Sequence, residues 1–280
     1  MKRVAGSEPK VLLGATLPQF GDRERLLEGV ERAESAGLDS IWVFDHLWPL
    51  SGGKNRPILE AWTTLAYLAA RTDSLRIGTL VTRAGLRNPV LLAKMIETVS
   101  SVAPGRLIVA IGSGDDASRA ENEAFGIPDL AGAERIGQFR NTVTVVKDWL
   151  DDAPPMWLGG RSDDVLEMAG RLADGWNGWA GTPETFARDA QQVLSYANGR
   201  RVELSWGGLG VVAKDDDEAR QKLGTRDPKR YVWGGPATVA ESLRSYVTAG
   251  ARHLILTPAG SADFDSIELL GREVGPRLQD

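Results

Sequence analysis

The 280-residue chain contains no cysteine and only two histidines, His46 and His253. The first absence excludes a disulfide scaffold, thiolate-ligated zinc, iron–sulfur clusters and a cysteine nucleophile. The second excludes an HExxH pair and any metal site built from several imidazoles, so no metal is expected. No apolar run approaches the roughly 18 residues of a membrane-spanning helix, and no membrane partner is expected. Nor is there a surplus of positive charge. Lysine and arginine number 33 against 38 acidic residues, a net −5, which argues against a nucleic-acid partner. The basic start MKRVAGSEPK leads into only a short apolar run, without a signal-peptide pattern, so a cytoplasmic location is expected. What is present is ordinary globular composition, 42% hydrophobic and 25% charged, in a chain long enough to bury a large core unaided.

Apolar runs of strand length alternate with amphipathic stretches of helix length from end to end. Strands are expected at 11–17, 40–44, 75–81, 106–111, 155–158, 175–179, 202–212 and 253–257. Helices are expected at 24–36, 60–71, 90–102, 134–150, 163–172, 184–198, 215–223, 237–249 and 264–278. Gly37 is a natural left-handed stop, and Pro89 sits where a first helical turn begins. Gly207, Gly208 and Gly210 suggest bends or bulges in the seventh strand, and the polar stretch 112–133 reads as a long loop. Eight strands alternating with helices, with no linker or low-complexity stretch, fit one (β/α)₈ TIM barrel over residues 1–280. The rival is a doubly wound sheet, which usually needs about five or six strands.

In both architectures ligands collect at the carboxyl ends of the strands. His46 follows strand two beside Asp45, and an imidazole suits proton transfer near neutrality. The bland reading is a histidine bonded to Asp45 that anchors a loop. After strand four, Gly112-Ser113-Gly114-Asp115-Asp116-Ala117 formally matches the dinucleotide pattern GxGxxA, but no helix and acidic strand follow at the right distance. The glycines read better as room for a ring, with Asp115 either reaching the pocket or capping a helix. Gly159-Gly160-Arg161-Ser162 places backbone N–H groups and a helix start at a strand end, an anion seat or simply a tight turn. Of nine tryptophans, Trp48, Trp157, Trp176 and Trp179 lie near strand ends, as pocket walls or as core. The acidic run 215–218 reads as the start of a helix, not as a metal site.

These stretches together carry a resemblance. They are Ala33-Glu-Ser-Ala-Gly-Leu-Asp-Ser-Ile-Trp-Val-Phe-Asp-His-Leu47, Leu75-Arg-Ile-Gly-Thr-Leu-Val-Thr82, Arg87-Asn-Pro-Val-Leu-Leu-Ala-Lys94 and Gly105-Arg-Leu-Ile-Val-Ala-Ile-Gly-Ser-Gly114. Further on come Pro155-Met-Trp-Leu-Gly-Gly160, Ala173-Asp-Gly-Trp-Asn177 and Gly235-Pro-Ala-Thr-Val-Ala-Glu-Ser-Leu243. In that order the chain resembles the bacterial luciferase-like monooxygenase superfamily, particularly its branch that uses the deazaflavin coenzyme F420.

The resemblance implies a (β/α)₈ barrel and hydride transfer between F420 and a small organic substrate. It implies that His46 is the acid/base, that Asp45 positions it or the cofactor, and that Asp115 is a second acid/base, one methylene shorter than the family's usual glutamate. It places a non-proline cis peptide near Thr79 and Leu80, with Thr82 beside the cofactor. Gly112, Ser113 and Gly114 then border the ring, and Gly159 and Gly160 seat the cofactor tail. A homodimer is the common family arrangement. The segment 214–235 looks trimmed, and no lysine cluster marks a sugar-phosphate pocket, so that substrate is not expected. Two alternatives stand beside this reading: an FMN-dependent monooxygenase on the same barrel, and a barrel that binds flavin or another ligand without turnover.

Overall fold

The computed structural model describes residues 10–21, 23–49, 57–260 and 263–279. Eight parallel strands close on themselves: β1 (Leu12–Thr16), β2 (Ser40–Val43), β3 (Arg76–Thr79), β4 (Leu107–Gly112), β5 (Met156–Gly159), β6 (Gly175–Trp179), β7 (Glu203–Val212) and β8 (His253–Pro258). β8 pairs with β7 through Ser205↔His253 and with β1 through Leu12↔His253, which completes the barrel. Each of the eight expected strands falls on one of these. Two short strands extend the sheet: Thr82–Arg83 continues the line of β3 against β4, and Tyr231–Gly234 pairs with the far end of β7. The latter was not expected in the stretch 214–235.

Strand periodicity sorts the side chains into two sets. Leu13, Ala15, Ile41, Val43, Ile77, Val109, Ile111, Leu158, Leu254 and Leu256 point outward and join the apolar helix faces in the main core. Trp42, Ile108, Ala110, Trp157 and Ile255 point inward and fill the barrel. Trp42 and Trp157 stack with ring centroids 5.4 Å apart, and His253 meets both edge-on. Inward glycines make space for these rings: a Cβ at Gly78 would lie 2.6 Å from Trp42, and one at Gly175 would lie 2.4 Å from Trp157. The same logic corrects the bulges expected in β7. Its register against β8 runs unbroken from Ser205 to Gly210, and Gly207, Gly208 and Gly210 are small because Trp179, Trp206 and Leu256 press against them.

The surrounding helices are α1 (Arg23–Ser35), α2 (Ala61–Arg71), α3 (Pro89–Val102), α4 (Arg119–Ala124), α5 (Gly132–Trp149), α6 (Asp163–Leu172), α7 (Pro183–Tyr196), α8 (Asp216–Leu223), α9 (Pro236–Thr248), α10 (Phe264–Leu269) and α11 (Gly275–Gln279). Pro89 opens α3 behind an Asn88 cap, and Asp215 caps α8 by accepting from Glu218 N at 2.8 Å, as the acidic run suggested. Two expectations need correction. The 112–133 stretch is not all loop, since it holds α4. The closing helix is interrupted by a π-helical turn, Leu270–Val274, where a Cβ on Gly271 would lie 2.3 Å from the Ala36 carbonyl. Among the described residues no helix is long and apolar enough to cross a membrane.

Candidate active site

The carboxyl ends of the strands form one mouth, and its floor is set by a cis peptide between Leu80 and Val81, one bond beyond the expected place. Leu80 caps the inward cluster of Trp42, Ile108 and Trp157. Val81 lies over Gly112 and Gly159, where added Cβ atoms would come within 2.4 and 2.7 Å of its methyl groups. Those two glycines, expected to border the cofactor, are thus small to accommodate Val81. Thr79 and Thr82 flank the cis bond with hydroxyls 2.5 Å apart, and Thr79 donates to Ala110 O. Both are buried, so they fasten this segment to β4 instead of lining the opening.

The turn after β5 is also internally committed. The Gly160 carbonyl accepts from Trp176 Nε1 at 2.8 Å, and Arg161 pairs with the buried Asp189 of α7 at 2.7 Å. Around the opening, Phe44 meets Trp179 edge-to-face at 5.9 Å, and Trp179 is 36% exposed. Gly207 faces them without a side chain; a Cβ there would sit 3.1 Å from Trp179 and 3.4 Å from Leu80. At the end of β8 the Thr257 hydroxyl is buried without a hydrogen-bond partner. Trp157 and Trp176 are core residues, whereas Trp48 is half-buried at the rim and packs edge-on against Phe125.

Asp45 and His46 are neighbours in sequence but face different partners. Asp45 is buried, accepts the Arg83 N–H at 2.9 Å and is gripped by both terminal nitrogens of Arg87 at 2.7 and 2.8 Å. Arg87 reaches on to Glu60, which caps α2 by accepting from Trp62 N and Thr63 N. Burial would lower the Arg87 pKa, but its bonds to Asp45 and Glu60 outweigh that and raise it. Asp45 is thus bonded to Arg83 and Arg87 and not to His46.

His46 instead bonds through Nδ1 to Glu121 Oε2 at 2.9 Å. Glu121 lies on α4, is fully buried, and also accepts from the Leu47 and Trp48 N–H groups and from Arg83 at 2.8 Å. Burial pushes the Glu121 carboxyl up. The bonds from His46 and Leu47 N–H and the charges of His46 and Arg83 more than reverse that, holding it below the usual carboxylate range. The His46 side chain is 18% exposed, and no described residue meets its Nε2.

Asp115 takes the capping alternative. It is exposed and accepts from the Ser118 N–H and hydroxyl, both at 3.1 Å, so its carboxylate starts a helical turn. Ser113 and Gly114 line a cleft beside it with Arg83 and Asn122. The residues that sequence reasoning missed are Glu121, Arg83, Arg87 and Gln19. Gln19 bridges Phe44 O and Leu59 O, tying β1 and β2 to the start of α2. A usable signal for Glu121 was the helix-forming run Ala120-Glu-Asn-Glu-Ala124 ahead of Gly126, a left-handed stop at φ +65°.

Known proteins resemble this chain over nearly its whole length. An F420-dependent glucose-6-phosphate dehydrogenase of Mycolicibacterium smegmatis is 27% identical over 338 residues, covering 98% of this chain and 99% of that protein. Among solved structures, an F420-dependent secondary alcohol dehydrogenase in complex with an F420–acetone adduct superposes with a TM-score of 0.81 at 20% identity, covering 97% and 100%. The monooxygenase RslO1 of Streptomyces bottropensis superposes at 0.78 and 18% identity, covering 95% and 98%. Both superpositions speak for the fold alone. The model of the luciferase-like monooxygenase family matches residues 11–232, from just before β1 to the strand paired beyond β7, and on that match the chain belongs to this family.

Proposed function

We propose that this protein is an F420-dependent oxidoreductase that moves a hydride between the deazaflavin and a small organic alcohol or carbonyl compound, with His46 carrying the accompanying proton. The observation that carries the reading is a half-buried imidazole at the end of β2 with Nδ1 bonded to Glu121 and no hydrogen bond from a described residue to Nε2. The mouth suits a flat ring: Phe44, Trp179 and Leu80 are apolar walls, Gly207 leaves space that a Cβ would fill, and Thr257 offers an unpartnered hydroxyl. Ser113 and Gly114 line a cleft with Arg83, the same arginine that pairs with Glu121. The F420-dependent relatives add support, since the match runs over nearly the whole of both chains.

F420, when bound, supplies the hydride acceptor or donor. The chain's own contribution is placement and proton transfer. Phe44, Trp179 and Leu80 exclude water from the reacting face, and His46 Nε2 takes the hydroxyl proton during oxidation or returns it during reduction.

Titrating the apoprotein with F420 and with FMN, followed by cofactor fluorescence, tests the proposal. Preferential F420 binding is the expected result, and preference for FMN would overturn it in favour of oxygen chemistry. His46→Asn should lower turnover by about 10²- to 10⁴-fold, the usual scale of general acid–base catalysis, with little change in F420 affinity.

A further inference from the structure

We infer that Glu121 is the positioning residue of the active site: it fixes which nitrogen of His46 carries the proton, and so makes Nε2 the atom that exchanges protons with substrate. The inference rests on the reading of His46 as acid/base and adds a group that sequence motifs did not supply. An ionised carboxylate can only accept hydrogen bonds. Glu121 stays ionised because Arg83 lies 2.8 Å from Oε2 and the Leu47 N–H bonds the other oxygen. With His46 Nδ1 only 2.9 Å from Oε2, that nitrogen must be the donor. The lone pair of a neutral imidazole is then on Nε2, which no described residue hydrogen-bonds.

Charge follows the same logic. When Nε2 accepts a proton the ring becomes a cation, and the buried Glu121 carboxylate beside Nδ1 stabilises it. When the proton returns to a substrate oxygen, the ring reverts to the same tautomer. No proton passes to Glu121 in either direction, so the residue acts through His46 alone. Arg83 in turn is held by Asn122 through its guanidinium and by Asp45 through its backbone N–H, which keeps its charge on Glu121.

With only two histidines in the chain, ¹⁵N-histidine NMR of the apoprotein reads the tautomer directly, and His46→Asn identifies the His46 signals by their loss. When the ring is neutral, the expected wild-type spectrum has His46 protonated at Nδ1 and unprotonated at Nε2. Glu121→Ala removes the acceptor that holds the Nδ1 proton and should shift His46 away from that tautomer, while the buried His253 signals stay in place and report an intact barrel. A neutral wild-type His46 protonated at Nε2 would overturn the inference, and so would a folded Glu121→Ala variant with an unchanged tautomer. If Glu121→Ala does not fold, the wild-type spectrum still decides. F420 titration of the wild type is a separate arm: failure to bind would overturn the oxidoreductase reading without altering the tautomer result.

Discussion

An alanine at position 159 would bring its Cβ to 2.7 Å from Val81 Cγ1, and the methyl group could not move without disturbing the floor of the mouth. Overpacking of this kind costs about 1–3 kcal/mol. Gly159→Ala should therefore lower the melting temperature and weaken F420 binding together. Gly105→Ala is the matched control: its site is open, with nothing within 4 Å, but its φ of +73° carries a left-handed penalty of roughly 1–2 kcal/mol. That variant should lose stability alone, and a melting curve with a cofactor titration on each protein separates the two. At this scale the sequence was partly legible. The glycines near the mouth were seen as necessary, but the group requiring them was Val81, which no spacing rule points to. The adjacency of Asp45 and His46 was misleading because successive residues leaving a strand face opposite ways. The true partner of His46 lies 75 residues further along.

At the scale of elements, the clamp formed by Asp45, Arg87 and Glu60 joins the end of β2 to the loop before α3 and to the first turn of α2. Both side chains of the Asp45–Arg87 pair are at least nine-tenths buried. Removing one charge from such a pair leaves the other uncompensated and costs about 3–5 kcal/mol. Asp45→Asn should therefore shift the urea midpoint strongly downward, while hydrogen exchange should quicken first at the start of α2. The strands and most helices were legible because each carries a clear period and a recognisable stop. The helix α4 was not, since its six residues are too short for a hydrophobic period and its inward group is a glutamate. The strand Tyr231–Gly234 was equally hidden in a stretch that looked like a trimmed loop.

Across the whole molecule, pH acts through groups buried by closure of the barrel. Desolvation pushes the pKa of His253 down, against the opposing pull of Glu203. The unfolded chain gains a proton near pH 6.5 while the folded chain does not, so stability falls as pH drops below about 6.5. Glu60, Glu121 and Glu203 continue the decline. Burial would raise each carboxyl, but hydrogen bonds and neighbouring cations hold all three below the ordinary glutamate value. Their stabilisation is complete above that value and is lost as pH falls through the lowered ones. Melting temperature should decline from pH 7 to pH 4, and His253→Asn should flatten the part between pH 7 and 5. The count of eight strands was enough to favour a barrel over a doubly wound sheet. The pairing of β8 with β1 that closes it leaves no local trace, because it joins residues about as far apart as the chain allows.

The stacked pair of Trp42 and Trp157 belongs to β2 and β5, strands separated by two others around the ring. Their indoles are near enough for their electronic transitions to couple, and only the inward curl of the strands between them brings them together. An exciton couplet in circular dichroism is the expected signature of that curl, independent of helix content. A state that kept its helices but flattened these four strands would be dark in that band, so the molecule carries its own gauge of the curvature that shapes its interior.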